Sequence, residues 1–175
     1  KFELKLLREI LYKVEINSVV GNTSLSINKI EFDSRLISDG DMYVAITGVN
    51  VDGHSFISQA IQNGANCIVC EKTPENKTDG VVYVNVKSSR KALAIISSNY
   101  FDNPSSKLNL IGVTGTNGKT TIATLLFDLY TELEIKSGLI STVKISYDNK
   151  NFQANQTTPD SLSINRFLSE MVNSN

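Results

Sequence analysis

One histidine and two cysteines in 175 residues leave little with which to build a metal or redox centre. Cys67 and Cys70 do form a C-x-x-C, but no second cysteine pair exists to complete a set of four ligands. They lie in Asn66-Cys-Ile-Val-Cys-Glu71, a short apolar run of strand type in which residues three apart face opposite ways. A redox pair opens a helix instead, so both thiols are expected to be structural. His54 follows Asp52-Gly53 at an expected helix start and is expected to cap or pack there. An excess of one charge is also missing. The formal net charge is −1, which gives no electrostatic case for nucleic acid as a partner. No apolar stretch approaches a membrane span and no signal peptide precedes the first helix, so no membrane partner is expected and the cytoplasm is the expected compartment. Internal repeats and low-complexity tracts are absent. Lys1 stands where an initiator methionine would, so the expectation is that the true N-terminus lies upstream.

The composition itself is ordinary, 41% hydrophobic and 20% charged, enough for a core in one domain or two small ones. The chemistry sits in Leu110-Ile-Gly-Val-Thr-Gly-Thr-Asn-Gly-Lys-Thr-Thr121. An apolar run of strand character ends in a glycine-rich turn, and Lys-Thr-Thr opens an amphipathic helix, the local plan of a phosphate-binding loop. Backbone N–H groups of the turn and the positive helix terminus cradle anionic oxygens. Lys119 is expected to reach the β- and γ-phosphates of a nucleoside triphosphate, and the Thr120 hydroxyl to ligate Mg²⁺. The spacing departs from the strict pattern, because Val113 occupies the position five residues before Gly118. Nor is it a dinucleotide fingerprint: Gly112, Gly115 and Gly118 give G-x-x-G-x-x-G, which would leave Lys119 unexplained. The plainer reading is a turn that only joins a strand to a helix.

Periodicity supplies the frame. Leu4, Leu7, Leu11 and Val14 predict an opening helix, and Ile27 to Phe32 alternates as a half-buried strand. Strands are predicted at Met42–Ile46, Cys67–Cys70 and Val81–Val86, with helices around Phe56–Ile61 and after Ser88. This alternation predicts α/β architecture with a mainly parallel sheet. The polar, proline-bearing Asn103-Pro-Ser-Ser-Lys107 places the expected boundary, giving domains over 1–104 and 105–175. In the second, Leu108–Val113 is the predicted first strand. The loop helix is expected to bury Ile122, Leu125, Leu126, Leu129 and Leu133. Leu139–Val143 is a further predicted strand, Ser146–Gln153 a hairpin turning at Asp148-Asn149, and a last helix carries Ile164, Phe167, Leu168 and Met171 on one face. Two or three strands are too few for a complete nucleotide-binding sheet, so the chain is expected to be the front part of a longer protein.

Two further motifs join the loop. Phe32-Asp33-Ser34-Arg35 is followed by Gly40-Asp41-Met-Tyr-Val-Ala-Ile-Thr-Gly48 and Asp52-Gly53-His54, and Gln156-Thr157-Thr158-Pro159-Asp160 comes after the loop. The three in this order resemble the Mur ligases of peptidoglycan precursor synthesis, over essentially the whole chain. The loop taken with Thr-Thr-Pro-Asp is most similar to the branch acting on UDP-MurNAc-L-Ala-D-Glu. The resemblance implies an N-terminal Rossmann-like UDP-binding domain, followed by the first part of a P-loop mononucleotide-binding α/β domain. It implies that Ser34 lies near the uridine, helped by Val49, Asn50 and Val51, and that Gly115, Thr116, Asn117, Gly118, Lys119, Thr120 and Thr121 bind ATP. Thr157 and Thr158 would contact the muramoyl-dipeptide portion. Thr158 is a good N-cap and Pro159 suits a first helical position, so an anion could meet free N–H groups there. Gln156 stands where many relatives have Asn or His.

Each assignment has a plainer alternative. Ser34 could cap a turn, Asp33 and Arg35 could equally form a structural ion pair or touch substrate, and Thr157 and Thr158 could simply start a helix. The implied chemistry is carboxylate activation. ATP phosphorylates the D-Glu side-chain carboxylate, an amine of meso-diaminopimelate or L-lysine attacks the acyl phosphate, and phosphate leaves. Lys119 would be catalytic, neutralising charge on the transferring group. The family's acidic Mg²⁺ ligand, modified lysine and amino-acid-binding domain would lie beyond Asn175, so this chain is expected to bind without ligating, as a monomer. The alternatives are a Mur ligase of the next, tripeptide-accepting step, a folylpolyglutamate-type synthetase, or a non-catalytic nucleotide-binding module. The Asp-Ser-Arg region argues against the folate enzyme, and an intact Lys119-Thr120 against the module.

Overall fold

A computed structural model describes residues 4–48, 51–148, 150–153 and 158–174. The chain divides into two compact units, Lys1–Tyr100 and Phe101–Asn175. The first contains β1 (Lys5–Leu6), α1 (Leu7–Ile10), β2 (Ile16–Val20), β3 (Ser26–Ile27), β4 (Ile30–Glu31), β5 (Asp41–Val44), α2 (Ile57–Gln62), β6 (Ala65–Cys70), β7 (Val82–Val86) and α3 (Ser89–Tyr100). The second contains α4 (Lys119–Glu132), β8 (Gly138–Ile140), β9 (Lys144–Tyr147), β10 (Lys150–Gln153) and α5 (Ser161–Asn173). The architecture is mixed α/β with a sheet rich in parallel pairs.

The first unit is built on a five-stranded sheet of order β2-β7-β6-β5-β4. The four strands from β7 to β4 run parallel and β2 closes one edge antiparallel. Strands covered on both faces read as continuous apolar runs. Accordingly Met42, Tyr43 and Val44 of β5 and Cys67, Ile68, Val69 and Cys70 of β6 are all buried. Removing a large side chain of this kind from water is worth about 2 kcal/mol. Ile57 and Ala60 of α2 lie in one cluster with Tyr43, Ile68, Cys70 and Tyr83. Strand alternation turns Cys67 to the opposite face. The two cysteines are therefore buried free thiols, and burial pushes both of them up, away from the reactive thiolate.

Where local pattern and tertiary pairing competed, pairing won. The opening helix shrinks to Leu7–Ile10, because Lys5 and Leu6 pair with Ile27 and Ser26, and Lys13 turns left-handed at φ 61. The single strand expected over 27–32 becomes β3 and β4, which belong to different sheets. Strand β2 gave no periodic signal, since all five residues are exposed at the sheet edge. Asn99 then ties the N-terminal segment to α3, its side-chain amide donating to the Ile10 and Tyr12 carbonyls at 2.9 and 2.7 Å.

The second unit departs further. Leu108–Val113 is not a strand, and Leu110 and Ile111 are each 61% exposed, with no neighbouring strand among the described residues to pair with. Helix α4 forms as expected but buries no residue fully: Ile122, Leu125, Leu129 and Leu133 are half or more exposed, and Leu126 is only half-buried. The sheet here is small and antiparallel, in order β10-β9-β8. The strand expected over Leu139–Val143 stops at Ile140, because Ser141 closes a tight turn. Its hydroxyl donates to the Lys144 carbonyl at 2.9 Å and accepts from the Lys144 N–H at 3.1 Å. The β9–β10 hairpin turns through Asp148 at φ 45, while Asn149 lies outside the described residues. Asp160, not Thr158, caps α5, accepting from the Ser163 N–H at 2.8 Å. Tyr147, Phe152 and Phe167 pack the hairpin onto α5 with ring centroids 5.7 to 6.2 Å apart. Among the described residues no helix is long and apolar enough to cross a membrane.

Tyr43 offers a test of the first core. Its hydroxyl donates to the Gly53 carbonyl at 2.9 Å, and burial pushes the phenol up to about 12 from an ordinary value of 10. A raised folded value means that the stability Tyr43 lends is complete below about pH 10 and is lost as the pH climbs to about 12. Tyr43→Phe is expected to cost about 1 kcal/mol at neutral pH. It should also remove Tyr43's share of the alkaline loss, leaving that of Tyr100 and Tyr147, whose phenols are raised as well. Urea midpoints compared near neutrality and in the alkaline range check both.

Candidate functional sites

Parallel strands place the start of every following connection at one edge of the sheet, and ligands of open α/β sheets bind there, outside the carboxyl ends of the strands. The motifs of the first unit fall at that edge. Asp33-Ser34-Arg35 follows β4, residues 45–52 follow β5, Glu71 and Lys72 follow β6, and Lys87 and Ser88 follow β7.

Ser34 begins a one-turn 3₁₀ helix and is 5% exposed. Its hydroxyl donates to Gln59 Oε1 at 2.9 Å and its carbonyl accepts from Asn63 Nδ2 at 2.8 Å, so α2 fixes it from both ends. What the Ser34 hydroxyl still offers a ligand is acceptor capacity on its oxygen. Asp33 caps the turn by accepting from the Arg35 N–H at 3.0 Å. It also takes the Arg35 guanidinium on both carboxylate oxygens, at 2.9 Å to Oδ1 and 2.6 Å to Oδ2. That pairing holds the Asp33 carboxyl below the usual carboxylate range and raises Arg35. The ion pair expected of these two residues is formed. Asp41, buried at the start of β5, accepts from the Ser38 N–H at 2.8 Å and lies 3.6 Å from Lys29 Nζ, which makes it a structural member of its motif.

The connection after β5 is braced more heavily than anything else at this edge. Thr47 and Asp52 form an antiparallel bridge, and the Gly48 N–H donates to the Val51 carbonyl at 3.0 Å. The Gly53 N–H donates to the Ile46 carbonyl at 2.9 Å, and Arg90 Nη2 reaches the Thr47 carbonyl at 3.5 Å. Asp52 caps the next turn through the His54 N–H, and bonds from His54 hold its carboxyl below the usual range. From this base Val51 projects 58% exposed; Val49 and Asn50 lie outside the described residues. Gln59, Asn63 and Arg90, which belong to none of the motifs, supply bracing together with Tyr43. Their only sequence signal was the apolar or helical segment that contains them.

In the second unit the glycine-rich turn runs into α4 as the motif requires. Gly118 caps the helix at φ 79, in the left-handed region that glycine enters without penalty, and its carbonyl accepts from the Ile122 N–H at 2.9 Å. Gly115, Thr116, Asn117, Gly118, Lys119 and Thr121 are exposed and Thr120 is half-buried at the helix start. Lys119 Nζ folds back over the turn, 2.5 Å from the Gly115 carbonyl and 3.2 Å from that of Thr116. The side chain thus already spans the concavity in which phosphate oxygens would lie. Free N–H groups, a cation and a hydroxyl at one helix terminus fit a polyphosphate. For Mg²⁺ they offer the Thr120 hydroxyl, and no group of three His, Cys, Asp or Glu converges among the described residues. Thr158 is exposed two residues before the Asp160 cap, and Gln156 and Thr157 lie outside the described residues.

A family model described as Mur ligase family, catalytic domain, matches residues 26–101, and one described as Mur ligase middle domain matches residues 113–175. The chain is similar to the UDP-N-acetylmuramoyl-L-alanyl-D-glutamate–2,6-diaminopimelate ligase of Cytophaga hutchinsonii, at 48% identity over 95% of this chain and 34% of that protein. The enzyme of the same name from Clostridium tetani is 44% identical over 96% of this chain and 35% of its own length. A solved structure of a ligase of that name superposes with a TM-score of 0.75 at 22% identity, covering 98% of this chain and 34% of that one, which shows the fold. The chain therefore spans about a third of the length of these relatives.

The bracing of the first site makes a prediction at Gly53. A Cβ there would sit 2.7 Å from the Ile46 nitrogen and 2.8 Å from its carbonyl oxygen, both backbone atoms that cannot turn aside. Gly53→Ala is expected to destabilise the protein by about 2 kcal/mol, read as a lower urea midpoint with an unchanged slope.

Proposed function

The chain belongs to the Mur ligase family, and from that premise we propose that it is the amino-terminal third of an ATP-dependent ligase joining a diamino acid to UDP-MurNAc-L-Ala-D-Glu. The observation that carries the proposal is the glycine-rich turn leading into α4, with Lys119 already arched over it and Thr120 at the helix start. In the reaction the N–H groups of residues 115–118 and the α4 terminus hold the ATP phosphates. Lys119 leaves the Gly115 carbonyl for the β- and γ-phosphate oxygens, where its charge offsets the charge that accumulates as the phosphoryl group transfers. Thr120 would supply one oxygen to Mg²⁺, whose charge would offset that of the phosphates, and Thr121 closes the first turn of the site.

The acceptor is the side-chain carboxylate of D-Glu. Its oxygen takes the γ-phosphoryl group as ADP departs, the amine of the incoming amino acid adds to the acyl phosphate carbon, and phosphate leaves from the tetrahedral intermediate. At the other end of the substrate, Ser34 and the braced loop carrying Val49, Asn50 and Val51 hold the UDP moiety, while Thr157 and Thr158 contact the muramoyl peptide. The bonds that hold Gly48, Val51 and Asp52 suit that task, because the ends of the loop need no further ordering on binding. Handling two nucleotide substrates fits a cytoplasmic enzyme, and it acts as a monomer. Cell wall construction, and with it cell shape and division, would depend on its product.

Phosphate release by the full-length gene product tests the proposal. Release should require ATP, Mg²⁺, UDP-MurNAc-L-Ala-D-Glu and one of meso-diaminopimelate or L-lysine, and the 175-residue chain alone should show none. Lys119→Ala should lower kcat by at least about a hundredfold. Turnover only with a UDP-muramoyl-tripeptide would assign the chain to the next ligase of the family. Unchanged turnover in Lys119→Ala would remove the catalytic role given to this loop.

A further inference from the structure

The His54 ring is used by none of the steps above, yet it joins the loop after β5 to the end of β6. Its side chain is only 11% exposed. Nδ1 lies 2.6 Å from Asp52 Oδ1, and Nε2 lies 2.9 Å from the Glu71 nitrogen and 3.3 Å from the Lys72 nitrogen. Backbone N–H groups can only donate, so Nε2 must be the unprotonated acceptor, and the ring proton sits on Nδ1 facing the carboxylate. One imidazole thereby receives two N–H groups from the end of β6 and donates to the residue that closes the loop.

Glu71 carries the connection onward. Its carboxylate accepts from the Ser89 N–H at 2.8 Å at the start of α3, and its carbonyl accepts from Asn85 Nδ2 at 3.0 Å on β7. The loop base, β6, β7 and α3 are thus linked through one ring. The charged groups around it are Asp52, Lys72 and Glu71. Glu71 is committed to α3, and the His54 N–H, the His54 ring and Lys72 hold the Asp52 carboxyl below the usual range.

We propose that His54 is a positioning residue for UDP-substrate binding: by joining Asp52 to the Glu71 and Lys72 amides it fixes the loop that presents Val51. This rests on the reading that the loop contacts the UDP moiety. The ring touches no reacting atom, so its effect should fall on substrate affinity and leave the chemical step alone.

Three full-length proteins decide the matter: wild type, His54→Ala and His54→Gln. A glutamine carbonyl can reach the position of Nε2 and accept from the same two amides, whereas alanine cannot. His54→Ala should raise KM for UDP-MurNAc-L-Ala-D-Glu about tenfold, with kcat and KM for ATP within about twofold of wild type. His54→Gln should recover most of that loss. Amide exchange at Glu71 and Lys72 should quicken in His54→Ala and stay slow in His54→Gln. An unchanged KM in His54→Ala, an equal loss in the two variants, or a parallel collapse of kcat and of KM for ATP would each overturn the proposal. If wild type shows no saturable dependence on the UDP substrate, the parent reading fails and the positioning role falls with it. Saturation in wild type with no change in either variant defeats the positioning role only.

Discussion

Parallel pairing of β4, β5, β6 and β7 is the constraint from which the first unit follows. Two parallel strands cannot be joined by a tight turn, so each connection must return along the sheet before the next strand begins. Between β5 and β6 the connection supplies α2, whose Ile57 and Ala60 cover the Tyr43–Ile68–Cys70 cluster. Parallel pairing also means that the Asp-Ser-Arg turn, the loop after β5 and Glu71 emerge at a single edge although up to forty residues separate them in sequence. The binding edge is a consequence of how the hydrogen bonds of the sheet are satisfied.

Rigidity at that edge comes from backbone groups that have specific partners. The loop after β5 has a bridge at its base, a tyrosine and a histidine beneath it and an arginine leaning on it. Each bond alone contributes about 1 kcal/mol, and together they fix both ends of the loop, at Thr47–Gly48 and Val51–His54. An exposed valine on such a platform is a different object from one on a loose turn. The second unit shows the contrary case. Its turn and helix start are well defined by Gly118, while the apolar side of α4 and the segment around Leu110 meet too little surface to be covered. A phosphate-binding turn can form from local geometry alone, whereas a strand needs neighbours.

Much was legible in advance for the same physical reasons. The strand over 67–70 and the helices after Ser88 and Gly118 depend on apolar period and capping, which neighbouring residues carry. Burial of Cys67 and Cys70 followed from their lying inside an apolar strand. The misses share a cause as well. Helix α1 was cut short by pairing between residues some twenty positions apart. The strand at Leu139 was ended by a serine hydroxyl that bonds across its own turn. Leu108–Val113 has strand composition but no neighbouring strand among the described residues, so composition could not become structure.

By itself the sequence determined the phosphate-binding turn and the α/β alternation, because each depends on residue types at short fixed spacings. Only the tertiary structure decided the rest. It spent Arg35 on Asp33, fixed Ser34 between Gln59 and Asn63, and set His54 as the link between the Asp52 loop and the end of β6. These outcomes turn on which donor lies within 3 Å of which acceptor once four strands have aligned, and no local pattern encodes a distance between segments that meet only on folding.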